Sequence, residues 1–432
     1  MAEDVSAARP LQPRLDTARR LSPEHEEIVR ATLPAVGANI AEIAATFYRR
    51  MFAARPELLA DTFNRGNQAQ GAQQKALAAS VASYATILVA PEGPSPSEML
   101  GRIGHKHASL GIVEDQYGIV HEHLMAAIGE VLGEAVTEPV AAAWSAVYWH
   151  MAETLISFEK DLYAAAGVEP GDVFREAVVA TRVEESSDVA SFELISPAGG
   201  APLPDFVPGQ YVTVGVRLPD GARQLRQYSL SDVPGGGRWR ISVRRVDAVD
   251  ADPRGEVSTW LHENVAVGDR LQVTLPFGDL ALDTDSDAPV VLVSAGIGAT
   301  PILGMLRYLA VHQRGRRAIV LHADADARDA ALVDELARTV AGLPPCTNSQ
   351  LDLWFAAGSA EHVPGGAPDP RITVHEGRMA LAGVPLPEDA EIYLCGGSGF
   401  LKDLRDQLRA AGADEERVHF ELFSPNDWLL PA

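Results

Sequence analysis

The spacing of apolar residues along this chain of 432 residues changes twice. From Pro23 to about Ala166, apolar positions recur three and four residues apart, and Pro and Gly lie mainly at breaks, which predicts a series of helices. After a Gly- and Pro-containing linker over 167–171, short apolar runs separated by Gly, Pro and Asp predict a small antiparallel barrel. From about Asp285, apolar strands alternate with amphipathic helices, which predicts a parallel sheet covered by helices.

These changes predict three domains: an all-helical domain over 22–166, an antiparallel β-barrel over 172–284 and an α/β domain over 285–432. Residues 1–21 mix Asp, Arg and Pro without an apolar run, so we interpret them as a disordered leader that lacks the layout of a secretory signal. The barrel strands are predicted at Phe174 to Val183, Val189 to Ile195, Tyr211 to Arg217, Tyr228 to Ser231, Trp239 to Val246 and Arg270 to Leu275.

Net charge and cysteine content indicate which binding partners and which cellular compartment to expect. The formal net charge of −23 repels nucleic acid and anionic lipid, and Arg314 to Arg317 is too short a basic run to offset it. No window approaches the ~18 uninterrupted apolar residues of a membrane span. The two cysteines, Cys346 and Cys395, cannot build a disulfide framework, which favours a reducing compartment. We therefore expect a cytoplasmic monomer with no nucleic-acid or membrane partner.

One histidine of the helical domain is a candidate metal ligand. Leu100, Ile103, His107 and Leu110 follow at spacings of three, four and three, so they share one apolar stripe and His107 faces inward. His105 lies about 200° round the same helix and is predicted to face solvent. A single inward histidine is more often a hydrogen-bonded core residue than a ligand, and the spacing alone leaves both interpretations open.

Other side chains of this domain are predicted to share its interior. Phe47 and Tyr48 lie on a helix with an inward apolar face, Phe63 follows in a short segment, and Gln73 and Leu77 share one face of another helix because they are four residues apart. Ordinary packing explains each of them equally well on its own, and a core aromatic with a satisfied hydroxyl is the simpler interpretation of Tyr48.

The barrel contains residues suited to a flavin. A flavin dinucleotide presents a flat ring and an anionic pyrophosphate, so its site needs an aromatic face, a cation and hydrogen-bond donors. Arg226, Tyr228 and Ser229 supply these groups on one short strand. Pro208-Gly209-Gln210-Tyr211 precedes this strand, and Gly255-Glu256-Val257-Ser258 opens a helix predicted over Thr259 to Asn264, whose amino end favours phosphate.

The third domain contains a dinucleotide turn. Gly296-Ile297-Gly298-Ala299-Thr300-Pro301 follows an apolar strand and starts a helix, with Thr300 predicted as the N-cap and Pro301 in its first turn. Glycines there allow close approach of a pyrophosphate to the backbone. Asp324 and Asp326 follow the second strand of this sheet and repel a 2′-phosphate, so NADH is expected rather than NADPH.

Taken together, the strings FYRRMF, PELL, FNRGNQ, HKHASLGI, EDQYGIVHEHL and AWSAVYW resemble the globin domain of flavohaemoglobins. The order PGQY, RQYS, GEVS, GIGATP and YLCGG resembles the reductase that is fused to it in that family. The resemblance covers nearly the whole chain after the leader. It implies a multidomain fold of an all-α globin, an antiparallel FAD barrel and a parallel-sheet NAD-binding domain, with haem b, FAD and NADH as cofactors.

The resemblance also implies roles for individual residues around haem. His107 is then the proximal iron ligand, Tyr117 and Glu159 tune it, Tyr48 and Gln73 are polar distal residues, and Phe63 and Leu77 contact the ring. An imidazole ligand needs an acceptor for its second N–H, and a carboxylate serves this purpose best.

For the other two cofactors, the resemblance implies contacts from the motif residues already described and from Phe423, whose ring is expected to cover the flavin. Gly397 departs from the family pattern, in which proline often occupies that position. The flavin set is Tyr211, Arg226, Gln227, Tyr228, Ser229, Gly255, Val257 and Ser258, and the nicotinamide set is Gly296, Gly298, Thr300, Pro301, Cys395, Gly396 and Gly397.

The implied activity is nitric oxide dioxygenase, in which electrons from NADH pass through FAD to haem and nitric oxide and O2 become nitrate. Two alternatives share the same motifs. One is a haem and flavin reductase that passes electrons to hydroperoxides or ferric iron. The other is a gas-binding sensor globin whose reductase keeps the iron reduced.

Overall fold

The computed structural model describes residues 11, 21–61, 63–65, 72–90, 97–248, 253–357, 364–366 and 368–423. Their contacts divide them into two compact units, one with the described residues of 11–175 and 215–226 and the other with those of 176–214 and 227–423.

The described residues between Pro23 and Ala165 are mainly helical, as the apolar spacing predicts. Its α-helices are α1 Pro23–Ala38, α2 Ile40–Ala54, α3 Pro56–Asp61, α4 Ala72–Val89, α5 Ser97–Leu110, α6 Asp115–Leu132 and α7 Glu138–Ala165, with a short 3₁₀ turn at Gly133–Ala135.

Local chemistry explains where several of these helices begin and end. The Ser22 side chain accepts a hydrogen bond from the backbone N–H of His25 and caps α1, whose first residue is Pro23. After α6, Gly133 adopts a φ of 54°, in the left-handed region that glycine tolerates best. The chain then turns into α7, the longest helix of this group at 28 residues.

The helices pack around one apolar core. Val29 from α1, Phe47 and Met51 from α2, Tyr84 from α4 and Trp144 from α7 are almost completely buried. Trp144 still satisfies its indole N–H, which donates to Thr32 Oγ1 at 2.9 Å. This packing brings side chains from separate helices together and gives the buried indole a partner on another helix.

Six strands follow and form one sheet, in the order β4-β3-β6-β1-β2-β5. They are β1 Phe174–Glu184, β2 Val189–Ile195, β3 Tyr211–Arg217, β4 Arg223–Ser229, β5 Arg238–Arg244 and β6 Arg270–Thr274, with helix α8 Glu256–Asn264 between β5 and β6. Strand β2 pairs antiparallel with both β1 and β5. A bridge between Leu230, just after β4, and Ile241 of β5 connects the two ends of this order.

The last part of the chain forms a parallel six-stranded sheet in the order β10-β9-β8-β7-β11-β12. Its strands are β7 Val290–Ala295, β8 Ala318–Asp326, β9 Gln350–Ala357, β10 Ile372–Glu376, β11 Glu391–Gly396 and β12 Val418–Leu422, and its helices are α9 Ala299–His312, α10 Val333–Gly342 and α11 Ser398–Ala410. The central strand β7 is buried on both faces, so it is apolar at every position from Val290 to Val293.

Two local predictions are wrong. Strand β4 begins at Arg223, five residues before the predicted start at Tyr228, because Gln224 and Leu225 are buried although the run is polar. His105 is 2% exposed, because its ring packs edge-on against Phe158 and its Nε2 lies 3.3 Å from the carbonyl oxygen of Leu11.

None of the described helices is by itself long and apolar enough to cross a membrane. By length and composition together, the described pair α1 and α2 could, but the two helices meet at a bend of 81°.

Candidate functional site

Three side chains from three helices meet at His107. Its Nδ1 atom lies 2.8 Å from Glu159 Oε1 and 3.0 Å from the hydroxyl of Tyr117. The Tyr117 hydroxyl donates to the same carboxylate oxygen at 2.6 Å. The structure thus brings together the predicted ligand from α5 and its two predicted partners from α6 and α7.

The electrostatics of this cluster determine where its protons lie. Burial, followed by the charge and hydrogen bond of Glu159, raises the pKa of the Tyr117 phenol well above its usual value, so Tyr117 remains a donor at neutral pH. Glu159 is 2% exposed and accepts from Tyr117, which leaves Nδ1–H of His107 as its second donor. With the proton on Nδ1, the lone pair of His107 is on Nε2, the atom that binds metals.

The donor set fits an iron porphyrin. The side chain of His107 is 33% exposed, and no described residue hydrogen-bonds its Nε2 atom. Over the described part of the chain, no three His, Cys, Asp or Glu side chains are grouped so that they could hold a metal ion. Among the described residues His107 is thus a single candidate ligand, which suits a macrocycle that supplies the other ligands, and the carboxylate on Nδ1 makes this imidazole a better donor.

A second group of predicted residues forms an aromatic cluster around Tyr48. The Tyr48 ring is 5.5 Å from that of Phe52 and 5.9 Å from that of Phe63, and Phe52 and Phe63 are 5.3 Å apart, all measured between centroids. Tyr48 is 5% exposed, so its side chain is buried within this cluster. The side chain of Gln73 falls outside the described residues.

Leu77 borders an apolar cavity between the helices. Its walls contribute no polar surface, because every side chain presents carbon atoms to it. The lining residues are Val36, Ile40, Ile43, Ala44, Leu77, Val81, Leu124, Ile128 and Trp144.

The predicted flavin residues Tyr211, Ser229, Val257 and Ser258 are all buried. Two buried hydroxyls of this region, Ser229 Oγ and Thr259 Oγ1, have no hydrogen-bond partner among the described residues. Because unpaired buried hydroxyls are costly, these two atoms fit a bound molecule that carries hydrogen-bonding groups.

The residues at the amino end of α8 are closely packed. A Cβ at Gly255 would crowd Ser258 Oγ at 2.7 Å and the Val246 side chain at 2.9 Å, so only glycine fits there without a shift. Ser258 Oγ accepts from the Val246 backbone N–H at 3.2 Å, which gives Ser258 a structural role. Helix α8 begins at Glu256, three residues before its predicted start, with Gly255 as its N-cap.

The first residues of strand β4, up to Arg226, contact helical residues of the compact unit to which they belong. Arg226 donates to Asn64 Oδ1 at 2.7 Å, and Gln224, which is fully buried, hydrogen-bonds the same segment. Gln227 donates to Thr213 Oγ1 at 3.2 Å. Sequence reasoning missed Gln224, and the only available signal was its alternation with Arg226 along a polar strand.

The predicted dinucleotide turn lies between β7 and α9. Gly296 has a φ of 52°, and a Cβ at Gly298 would clash with the carbonyl of Cys395 on β11. The predicted N-cap role of Thr300 is wrong: Gly298 is the N-cap, because a 3₁₀ turn over Gly296–Gly298 runs directly into the helix. Thr300 Oγ1 instead donates to the carbonyl of Ile297 at 3.0 Å.

Strand β11 ends beside this turn. Cys395 is completely buried and pairs in register with Ser294 of β7. Gly396 leaves no room for a Cβ because of Phe400, whereas Gly397, the N-cap of α11, faces open space. Phe423 is 49% exposed, so its ring is available to cover a bound molecule.

The two acidic residues at the end of β8 have different surroundings. Burial alone would raise the pKa of Asp324, but the nearby His322, whose Nε2 lies 3.7 Å away, and further donors lower it below its usual value. Arg328 lowers the pKa of Asp326 to about 2 and offsets its charge at 2.7 Å. Repulsion of a 2′-phosphate therefore depends mainly on Asp324.

Comparison with known proteins identifies the family. The globin family model matches residues 45–155. A protein named Flavohemoprotein from Rhizobium meliloti is 37% identical over 94% of this chain and 99% of its own length. The chain belongs to the flavohemoprotein family. The resemblance seen in the sequence is thereby confirmed.

Solved structures agree with this membership. The flavohemoglobin of Malassezia yamatoensis, solved with bound FAD and heme, is 31% identical, covers 94% of this chain and 100% of its own, and has a TM-score of 0.82. The FAD/NAD-binding domain of a Vibrio cholerae nitric oxide dioxygenase is 36% identical, covers 57% of this chain and 98% of its own, and has a TM-score of 0.50. The predicted fold class, a globin followed by antiparallel and parallel reductase sheets, is confirmed for this flavohemoprotein.

Proposed function

We propose that this flavohemoprotein is an NADH-dependent nitric oxide dioxygenase with haem and FAD as cofactors. The observation that carries the proposal is the buried Glu159 carboxylate, which holds His107 and Tyr117 together. A histidine that is hydrogen-bonded to a carboxylate is a more electron-rich iron ligand. Such a ligand favours reaction of bound O2, whereas a simple oxygen carrier does not need it. The relative named nitric oxide dioxygenase supports the choice of substrate.

The cofactors contribute different parts of the proposed reaction. When bound, haem supplies the reaction site for O2 and nitric oxide, and FAD converts the hydride of NADH into single electrons. Each nitrate needs one electron, so one NADH supports two turnovers and leaves as NAD⁺ with release of one proton.

The residues of the chain provide positioning and proton control. Glu159 and Tyr117 fix the ring of His107 and keep its proton on Nδ1. Tyr48, whose ring packs against Phe63, would donate its hydroxyl to a polar diatomic ligand on the haem, and in a buried site such a hydrogen bond is worth more than in water. Gln73 is proposed as its polar neighbour, and Phe63 and Leu77 as the apolar wall.

In the reductase, Ser229 and Thr259 carry the unpaired buried hydroxyls that fit FAD. We assign the rest of the flavin site to Tyr211, Arg226, Gln227, Tyr228 and the amino end of α8, and the covering ring to Phe423. The turn over Gly296–Gly298 and the end of β11 at Cys395 are assigned to the nicotinamide. A cytoplasmic location and a monomeric state stay predictions.

A single substitution tests the reaction. Tyr48→Phe removes one hydroxyl and keeps the ring, so haem and flavin contents should be unchanged. We expect nitrate formation from nitric oxide and O2 to fall by about tenfold, since one hydrogen bond in an apolar site contributes roughly 1–3 kcal/mol. Hydroperoxide turnover is measured at the same NADH concentration. Unchanged nitrate formation contradicts the role of Tyr48, and faster hydroperoxide than nitric oxide turnover by the unaltered protein favours the reductase alternative.

A further inference from the structure

A serine and a histidine are buried together in the first two strands of the parallel sheet. Ser294 of β7 and His322 of β8 are both 0% exposed and are partners in the register of the two strands. Ser294 Oγ lies 2.8 Å from His322 Nδ1. Both strands lead to the proposed dinucleotide site, because β7 runs into the turn over Gly296–Gly298 and β8 contains Asp324 near its end.

The hydrogen bond between these two side chains determines where the imidazole proton lies. Among the described residues, Ser294 Oγ has no other hydrogen-bond partner, so its hydroxyl donates to Nδ1. The proton of a neutral His322 is then on Nε2. This buried atom has no hydrogen-bond partner among the described residues. A buried N–H without an acceptor is costly, so the group that it faces indicates its role.

The N–H of His322 faces a carboxylate. Asp324 Oδ2 lies 3.7 Å from Nε2, which is beyond hydrogen-bond distance but close enough for the N–H to attract the negative charge. Asp324 Oδ1 accepts from the backbone N–H of Ala325 at 2.7 Å. Burial raises the pKa of this carboxyl, but these two donors and the charge of Arg244 hold it below its ordinary value. Asp324 is therefore charged at neutral pH and held from the protein side.

The other two carboxylates of this segment are engaged elsewhere. Asp326 forms an ion pair with Arg328 at 2.7 Å, and Asp329 accepts from the backbone N–H of Ser187 at 2.8 Å. Among the described residues, no Arg or Lys forms an ion pair with Asp324, whose side chain is 20% exposed. Asp324 is thus the carboxylate of this segment that is presented to a ligand.

A fixed carboxylate at the end of the second strand distinguishes two kinds of ligand. It accepts hydrogen bonds from the hydroxyls of an adenosine ribose, and it repels a 2′-phosphate on the same ribose. A mobile carboxylate relieves this repulsion by rotating away. The group that holds Asp324 in place therefore sets how strongly the two ligands are distinguished.

We propose that His322 is a positioning residue for cofactor selection, whose Nε2–H holds the Asp324 carboxylate at the adenosine ribose of NADH and against the 2′-phosphate of NADPH. This inference rests on the proposed function, which names NADH as the electron donor. His322 is completely buried, so it acts through Asp324 and does not touch the dinucleotide. Its contribution is a difference between NADH and NADPH.

Two substitutions separate the roles of the two ring nitrogens. The side-chain amide of Asn reaches the position of Nδ1, and that of Gln reaches the position of Nε2. His322→Asn therefore keeps the bond to Ser294 and loses the donor to Asp324, whereas His322→Gln keeps that donor and loses the bond to Ser294.

The readout is the ratio of the second-order rate constants for flavin reduction by NADH and by NADPH. It is measured by anaerobic rapid mixing of the full-length protein with both cofactors bound. We expect this ratio to fall by about tenfold in His322→Asn, because one interaction with a charged group is lost, and by less than about threefold in His322→Gln.

Asp324→Asn supplies the reference for a double-mutant cycle. It removes the charge and should lower the same ratio by about a hundredfold, since a like charge next to a phosphate costs several kcal/mol. In the Asp324→Asn background, His322→Asn should cause no further change, because the charge that it positions is gone. A purely structural role of His322 predicts additive losses instead.

Equilibrium binding gives a readout independent of electron flow. Adenosine 5′-monophosphate and adenosine 2′,5′-bisphosphate differ only in the 2′-phosphate, so the ratio of their Kd values, measured by calorimetry, reports on this contact. It should change by about tenfold in His322→Asn. If His322→Asn does not bind FAD, Ser294→Ala decides the matter: the proton is no longer held on Nε2, and the preference for NADH should fall by about threefold.

The outcomes separate this inference from the proposed function. A cofactor ratio or a Kd ratio that stays unchanged in His322→Asn overturns the inference, as do equal losses in His322→Asn and His322→Gln or additive losses in the Asp324→Asn background. Where Ser294→Ala is the deciding variant, an unchanged ratio overturns it. If the unaltered protein prefers NADPH, both proposals fail. If it prefers NADH but forms no nitrate from nitric oxide and O2, the dioxygenase assignment alone fails.

Discussion

Two tyrosine–histidine pairs in the helical unit show what makes a histidine a cofactor ligand. In one, the Tyr84 hydroxyl lies 2.7 Å from His150 Nδ1. In the other, the Tyr117 hydroxyl lies 3.0 Å from His107 Nδ1, but both also bond the buried Glu159. Both tyrosines are buried, and among the described contacts the Glu159 carboxylate distinguishes the two pairs. A tyrosine alone connects two helices, whereas a carboxylate also orients the imidazole and makes it a better donor to a metal.

Replacing His107 and His150 in turn tests this comparison most directly. His107→Ala should lower haem affinity by more than about a hundredfold, since losing even a partner of a metal-bound imidazole costs roughly 10- to 100-fold. His150→Ala should retain haem. Hemin titration followed at the Soret band measures both, with flavin absorbance as the folding check. Equal haem loss in the two variants contradicts the distinction between the pairs.

Two further substitutions test the role of the Glu159 carboxylate. Glu159→Gln keeps the shape and one acceptor but removes the charge, so we expect haem to bind while nitrate formation falls by roughly 10- to 100-fold. Tyr117→Phe leaves the bond between His107 and Glu159 intact and should have a smaller effect. The two activities, each normalised to bound haem, are compared directly. An effect of Tyr117→Phe as large as that of Glu159→Gln contradicts the leading role of the carboxylate.

The structural pair is best examined at alkaline pH. Burial raises the pKa of Tyr84 from 10.0 to about 12, so its neutral phenol stabilises the fold fully below pH 10, and this contribution is lost as pH rises from about 10 to 12. A shift of this size corresponds to about 2–3 kcal/mol. The difference in unfolding free energy between the native protein and Tyr84→Phe, measured in urea from pH 8 to 12, should therefore shrink at the alkaline end. A constant difference contradicts the assignment.

The comparison also shows which parts of the site could be predicted from the residues alone. Helical periodicity predicted that His107 faces inward, because its neighbours at three and four residues are apolar. It could not predict that Glu159, 52 residues away on another helix, is buried beside it; only the family resemblance suggested this. Periodicity describes one helix at a time, whereas the cluster depends on how three helices pack.

The two wrong predictions in the fold have the same origin. His105 lies on the side of α5 away from His107, but Phe158 of α7 packs there, so His105 is buried as well. The start of β4 was missed because Arg223-Gln224-Leu225-Arg226 lacks the alternation of a half-buried strand; its buried amide is satisfied by backbone groups distant in the chain. Buried polar residues that depend on tertiary partners give no local signal.

The fold class and the order of the elements could be predicted from pattern alone because the repeat changes along the chain: three to four residues in the helices, two in the antiparallel strands, and alternating strand and helix after Asp285. The apolar run from Val290 to Val293 required a strand covered on both faces, and β7 is central in its sheet. The exact starts of α8 and α9 were less predictable, because α8 begins directly after a glycine N-cap and a 3₁₀ turn takes the place of the Thr300 cap expected for α9.

The central claim is that His107 holds an iron porphyrin that the reductase part of the same chain reduces. The most direct measurement is anaerobic addition of NADH to the purified protein after reconstitution with hemin and FAD, followed by absorbance spectroscopy. The account predicts a Soret band before the addition, then bleaching of the flavin and conversion of the haem spectrum to the ferrous form. A flavin spectrum that bleaches with NADH while no Soret band ever forms would contradict it.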